Sequence, residues 1–174
     1  MIPDDQLLER AAAGDPDAFE ALYRRHRDGV HRLAWRFTGN EQDALDVLQE
    51  TFVYLLKKLP AFRLTASMTT FLYPVVKHLS LNLRRRRRPG ADEEILLALP
   101  DPAAPPAPRA ELAAALAALS EQQREVVLMR FVDDMSLDEI AQALDVPTGT
   151  VKSRLHRALE TLRRDPRTRD YFLP

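Results

Sequence analysis

Residues 136–164 read SLDEIAQALDVPTGTVKSRLHRALETLRR. Ser136 with Glu139 three residues on is a capping-box pattern, and it starts a helix at Leu137. Ile140, Ala141 and Leu144 give that short helix one apolar face. Asp145-Val146-Pro147-Thr148-Gly149 then reads as a turn, and Thr148 is placed to cap a second helix. On the second helix Val151, Leu155, Ala158, Leu159 and Leu162 share one side. Ser153, Arg157, Glu160 and Arg164 point the opposite way, with Lys152 and His156 on one flank and Arg154 on the other. Ala141 is small enough to let the two helices cross closely. Asp145 stands where such a turn often needs a positive φ, which Asp tolerates better than most residues.

Two short helices, a tight turn and a basic outer face make a helix-turn-helix. In such a unit the second helix enters the major groove and reads bases mainly with its N-terminal residues. Here those are Thr150, Lys152, Ser153, His156 and Arg157. Lys and Arg suit guanine edges, and Ser and Thr are versatile. Thr148 and Arg154 are expected on phosphates, aided by the helix N-terminus. A helical hairpin with a solvated basic face is the plainer alternative. The two caps, the turn and the basic face together favour DNA.

Working outward, Ser120-Glu121-Gln122-Gln123 is another capping box, followed by Val126, Val127, Met129, Arg130 and Phe131. Glu111 to Leu119 is Ala-rich and helical, and Asp133-Asp134-Met135 is a turn. Before them, residues 89–108 hold six of the 13 prolines. Proline lacks an amide donor and restricts the residue before it, so this stretch reads as a linker. At about 3.1 Å per residue its 20 residues could reach roughly 60 Å. Its apolar patch, Ile95-Leu96-Leu97-Ala98-Leu99, reads either as a turn docked on a domain or as a segment that docks on a partner.

Residues 1–88 read as a second helical module. Asp15 can cap a helix with Pro16 at its first position and Phe19, Leu22 and Tyr23 on one face. Thr38-Gly39-Asn40 ends that helix, and Asn40 can cap the next. Ala44, Leu45, Val47, Leu48, Phe52, Leu55 and Leu56 recur at helical spacing until Pro60. A last helix runs from about Met68 to Arg88 and ends in five arginines. Those arginines suit the helix dipole and phosphate charge, or are a solvated helix end. Phe62, Phe71 and Tyr73 lie near Arg63, Lys77 and the run. Aromatics beside cations suit unstacked bases, although aromatics at this spacing are more often core. The architecture expected is all-α: a domain over 1–88, a linker over 89–108 and a domain over 109–174, with no strand pattern of useful length.

The formal net charge of −1 hides segregation. Residues 1–88 carry +4, 89–108 carry −4 and 109–174 carry −1. The absence of cysteine excludes disulfides and thiolate metal sites, and it suits the cytoplasm. No stretch approaches the roughly 20 apolar residues of a membrane span, so no membrane insertion is expected. The acidic N-terminus lacks a signal-peptide pattern. His26 and His31 do not share a helix face as an i, i+4 pair would, and His78 and His156 are isolated. No Gly-rich phosphate loop, nucleophile elbow or acidic metal cluster appears, so no enzyme, cofactor or metal is expected.

Three motifs in order resemble the extracytoplasmic-function (ECF) sigma factor family. Asp43-Ala44-Leu45-Asp46-Val47-Leu48-Gln49-Glu50-Thr51-Phe52 resembles its second conserved region. Thr70-Phe71-Leu72-Tyr73 looks like its DNA-melting segment. Gly149-Thr150-Val151-Lys152-Ser153-Arg154-Leu155 is similar to its fourth region. The resemblance covers nearly the whole chain outside the linker. It implies a polymerase subunit that directs core RNA polymerase to promoters. It places Asp43, Leu45, Asp46, Leu48, Gln49, Glu50 and Phe52 on the clamp helices of the β′ subunit. It also implies opening of the −10 element, with a base captured in the loop Phe62-Arg63-Leu64-Thr65-Ala66-Ser67. The −10 contacts it implies are Phe62, Arg63, Thr65, Ser67, Phe71, Tyr73, Lys77, Asn82, Arg85 and Arg86. The fourth region would read the −35 element, and a groove at Val126, Val127 and Phe131 would hold the tip of the β flap. Such families often add an anti-sigma factor as partner.

Three residues depart from the pattern. Phe71 stands where Trp is usual, and Leu64-Thr65 follows Arg63 where a Gly-acid pair is frequent. Pro74 replaces a basic residue and removes a backbone donor, so a bend or irregularity is expected near residues 70–74. Two other readings remain open on the residues: a two-domain helix-turn-helix regulator, and a helical adaptor that binds protein and not DNA.

Overall fold

The computed structural model describes residues 2–87 and 106–168. The chain falls into two compact units, Met1–Asp92 and Glu93–Pro174. Among the described residues there are helices and no strands. The Ile95–Leu99 patch lies outside the described residues.

The first unit contains α1 (Asp4–Ala12), α2 (Pro16–Thr38), α3 (Glu41–Lys58), a 3₁₀ turn (Leu59–Ala61) and α4 (Met68–Arg87). Each start has a local cause. Asp15 accepts from the amides of Asp17 and Ala18 at 3.0 and 3.3 Å, with Pro16 as the first helical residue. The same carboxylate takes Arg10 at 2.6 Å, so one side chain caps α2 and ties it to α1. The Arg10 hydrogen bond leads the causes that hold the Asp15 carboxyl below its ordinary range. Gly39 ends α2 at φ 64°, a left-handed conformation that glycine takes without steric cost, and its amide donates to the Trp35 carbonyl. Asn40 then caps α3 through the Asp43 amide at 3.0 Å.

The core follows the helical period. Leu22, Val30, Leu33, Ala34 and Phe37 of α2 meet Ala44, Val47, Leu48, Phe52 and Leu55 of α3 and Met68, Leu72, Tyr73 and Val76 of α4. Each fully buried Leu, Val or Phe contributes about 1.5–3 kcal/mol. Phe52 sits edge-on to Tyr23 and Phe19, at 4.8 and 6.3 Å between ring centres.

α4 runs from Met68 to Arg87 with Pro74 inside it, so the proline does not end the helix. The Pro74 ring is exposed, so it crowds no neighbouring helix. Pro74 cannot give an amide hydrogen bond to the preceding turn.

The second unit contains α5 (Pro106–Ala117), α6 (Glu121–Phe131), α7 (Leu137–Leu144) and α8 (Thr148–Arg164). The α5 helix begins inside the stretch read as a linker, because a proline in the first turn lacks only an amide that would have no partner there. Both capping boxes form, Ser120 with Gln123 and Ser136 with Glu139. Ala115, Leu116, Leu119, Val127, Leu128, Ala158 and Leu162 form the core where α5, α6 and α8 meet. Buried Arg124 fastens α6 to the end of α5. Its Nε donates to the Leu116 carbonyl at 2.9 Å, and its Nη2 to those of Ala117 and Leu119 at 3.2 and 3.0 Å. These carbonyls lie at and just past the end of α5, where intrahelical amides run out, and that of Leu116 also accepts from the Leu119 amide at 3.1 Å.

Candidate nucleic-acid interface

In the second unit α7 and α8 form a helix-turn-helix. Asp145 takes φ 53° and ψ 50°, the left-handed conformation anticipated for the turn. The Val146 amide returns to the Ala141 carbonyl at 3.0 Å and closes the end of α7. Val151, Ala158 and Leu162 are buried, and Leu155 packs on the same core. That burial turns Lys152, Ser153, His156 and Arg157 outward, and all four are exposed. Thr150 and Arg154 are half-buried beside them.

Thr148 does not cap α8. The cap position is Pro147, which has no side-chain acceptor. The Thr148 hydroxyl instead donates to Asp138 at 2.9 Å and clips α8 to α7. Gly149 is exposed in the first turn, and a side chain added there would meet nothing within 4 Å. The α8 N-terminus thus presents open amides beside a cationic face, which suits a phosphate oxygen. Farther along, Glu160 lies 3.9 Å from both His156 and Arg164. Its carboxylate lies close enough to Arg164 to offset part of that charge.

At the far end of α8, Thr168 donates its hydroxyl to the Leu162 carbonyl at 2.7 Å. Asp165 accepts from both the backbone and the guanidinium of Arg167. The Arg167 hydrogen bonds hold the Asp165 carboxyl down at about 2.

In the first unit, Phe62 and Phe71 lie 4.4 Å apart between ring centres, both half-buried. Tyr54 stands beside Phe71 at 6.4 Å, with the two rings only 23° from parallel. Lys58 Nζ is 5.5 Å from the Tyr54 ring centre. Arg63 and Thr65 are exposed in the adjoining loop. Tyr73 does not join this group. It is 1% exposed and packs edge-on against Phe37, so its expected contact with a base is corrected to a core role. Ser67 caps α4 by accepting from the Thr70 amide at 3.2 Å, which accounts for its hydroxyl. Lys77 is half-buried, and Asn82 pairs with His78 at 2.8 Å on the exposed surface.

The arginine run divides by its partners. Arg85, Arg86 and Arg87 are all exposed. Arg84 donates to the Phe37 carbonyl at 3.3 Å, and Arg87 pairs with Asp43 and, at 2.9 Å, with Asp46. Three of the seven residues expected on the polymerase face therefore point elsewhere. Asp43 is buried under Arg87, and Leu48 and Phe52 are in the core. Leu45, Gln49 and Glu50 are exposed, and Asp46 is half-buried. The same outer face carries Val53 and Leu56, each 47% exposed; the sequence reading missed Val53 and counted Leu56 in the apolar stripe. Tyr54 was missed too, although a helical wheel through Asp46 and Glu50 puts it on that outer face. Val126 and Val127, expected to line a groove, are buried in the second unit, and Phe131 beside them is exposed.

Comparison with known proteins bears on both units. Residues 22–89 match the model for sigma-70 region 2, and residues 109–162 match that for sigma-70 region 4. The ECF RNA polymerase sigma factor SigM of Mycobacterium tuberculosis strain H37Rv is 33% identical, over 92% of this chain and 83% of that one. The chain belongs to the ECF sigma factors. SigW of Bacillus subtilis is 28% identical over 92% of this sigma factor and 95% of its own length. Among solved structures, CnrH in complex with the cytosolic domain of CnrY matches with a TM-score of 0.68 and 27% identity, over 91% of this chain and 93% of that one. As an RNA polymerase sigma factor the protein is an initiation factor, not an enzyme. Among the described residues, no group of three or more His, Asp or Glu could hold a metal, and no helix is long and apolar enough to cross a membrane.

Proposed function

We propose that this sigma factor grips promoters at two places while held on core RNA polymerase. The observation that carries the reading is the division of α8: a buried Val151, Ala158 and Leu162 side, and an exposed Lys152, Ser153, His156 and Arg157 side beside an uncapped N-terminus. A helix so divided lays its exposed face in a major groove, here that of the −35 element, with Thr150 and Arg154 at its edges. In the first unit Phe62, Arg63, Thr65 and Phe71 handle the opened −10 strand. Lys77, Asn82, Arg85 and Arg86 hold the neighbouring backbone. The polymerase contact falls on the outer side of α3: Leu45, Asp46, Gln49 and Glu50, extended by Val53 and Leu56. An exposed apolar patch with an acidic margin suits a partner helix pair with apolar and basic side chains.

The residues 89–108 join these grips, and their reach of roughly 60 Å compares with two turns of duplex at about 34–36 Å each. The site of action is the cytoplasm. A protein antagonist of the anti-sigma type is a further partner, supported by the likeness to CnrH, which was solved with the cytosolic domain of CnrY.

Reconstitution with core polymerase, followed by sequencing of transcript starts, tests the whole reading. Lys152→Ala and Arg157→Ala are expected to cost about 1–3 kcal/mol of discrimination at the −35 element. An equal loss on all sequences would make them phosphate contacts instead, and transcription unchanged by this chain would overturn the proposal.

A further inference from the structure

We propose that Tyr54 is a base-stacking residue that extends the Phe62–Phe71 pair into a row of three rings. The inference rests on the reading that this surface receives opened promoter DNA. Three observations carry it. Tyr54 is 38% exposed on the outer side of α3, so it adds little to the core that α3 otherwise serves through Leu48, Phe52 and Leu55. It stands nearly parallel to Phe71, 6.4 Å away, and Phe71 in turn touches Phe62 at 4.4 Å. The row therefore crosses from α4 to α3 rather than ending at the loop. Lys58, one turn beyond, sets its ammonium group 5.5 Å from the Tyr54 ring centre.

That lysine is the only obstacle to stacking among these contacts, and magnitude decides against it. A cation over an exposed ring is worth less than a base stacked on one. A base arriving on that face displaces a flexible side chain, which is then free to meet the phosphate beside the base. Phe71 lacks the larger indole surface that the family usually places there. A second ring alongside it restores apolar area for an unstacked base. Tyr54 also borders Glu50 and Val53 of the polymerase face, so a polymerase contact is the competing role, and the test separates the two.

The test uses holoenzyme reconstituted from core polymerase and this chain carrying Tyr54→Leu, Tyr54→Phe or Phe71→Leu. Leucine keeps apolar volume and removes the aromatic face. The probe is a non-template-strand oligonucleotide from a promoter mapped by transcript starts, with 2-aminopurine in its opened segment. Tyr54→Leu is expected to weaken oligonucleotide binding about tenfold, the scale of one base stack. The salt slope and the affinity for core polymerase stay unchanged, and Tyr54→Phe binds as the parent does. Lys58→Ala is expected to lower the salt slope instead. If Phe71→Leu weakens binding and Tyr54→Leu does not, the proposal falls and the promoter-opening reading stands. A loss of polymerase affinity in Tyr54→Leu assigns the residue to the polymerase face and also overturns it. If neither leucine variant affects the oligonucleotide, the surface does not receive single strand, and the proposal falls together with the reading beneath it.

Discussion

Asp145 shows how far one residue can constrain the DNA-reading unit. At φ 53° its Cβ crowds the following carbonyl, a cost that glycine lacks. Glycine loses more freedom on folding, which returns part of the gain. Asp145→Gly is therefore expected to stabilise the protein by about 0.5–1 kcal/mol in urea unfolding, and Asp145→Val to destabilise it. Equal stability of the glycine and valine variants would show that the turn relaxes out of the left-handed region. Asp165 is a second case, with a pH signature. Its folded-state carboxyl titrates at about 2 against an ordinary 3.8, because Arg167 hydrogen-bonds the charged form. A depressed carboxyl contributes stability that is fully present above 3.8 and lost as pH falls through about 2. Unfolding of the parent and of Asp165→Asn should thus differ by a constant gap at pH 5–7 that closes as pH falls from 3.8 toward 2. A gap independent of pH would deny the Arg167 linkage.

Elements are where the sequence was most and least readable. Asp15, Asn40, Ser120 and Ser136 announce helix starts within three or four residues, so caps sufficed for α2, α3, α6 and α7, whereas α1, which has no side-chain cap, was not read. Which side of α3 or α4 meets the core depends on partners distant in sequence. Periodicity put Leu48 and Phe52 on the apolar stripe, where packing holds them, while the resemblance implied partner contacts for them and for Asp43 and Tyr73. Leu56 was read on that stripe although it is exposed, and Val53 and Tyr54 went unnoticed. Thr148 was misread as a cap for a nearer reason: several donors and acceptors compete for one hydroxyl, and a pattern cannot say which wins. Arg124 belongs to the same class. Nothing local marks a buried guanidinium that closes the preceding helix. Arg124→Met keeps apolar length but leaves the carbonyls of Leu116, Ala117 and Leu119 without it. A loss of about 2–4 kcal/mol is expected in urea unfolding, and Arg124→Lys should not rescue it, since an ammonium lacks the planar fork. A loss below about 0.5 kcal/mol would mean that water replaces the guanidinium.

Across the whole molecule a net charge of −1 coexists with +4 over residues 1–88, and the arginine run supplies much of that excess. The run is not one electrostatic patch. Arg84 is half-buried and donates to the Phe37 carbonyl, and Arg87, although 47% exposed, is held by Asp43 and Asp46, whereas Arg86 is exposed with no acidic partner among the described ion pairs. Neutralising the two classes should affect different quantities. Removing one cation from a phosphate lowers the salt slope of duplex binding by about 0.9. Arg86→Gln in the reconstituted holoenzyme should therefore flatten that slope by about 0.9 and leave unfolding unchanged. Arg87→Gln should do the reverse: it uncovers Asp43, a buried carboxylate, and lowers stability while the slope holds. Salt titrations of promoter binding alongside urea unfolding separate these outcomes. If both variants shifted the slope alike, the division between paired and unpaired arginines would be wrong, and the +4 half would act as a diffuse cationic surface.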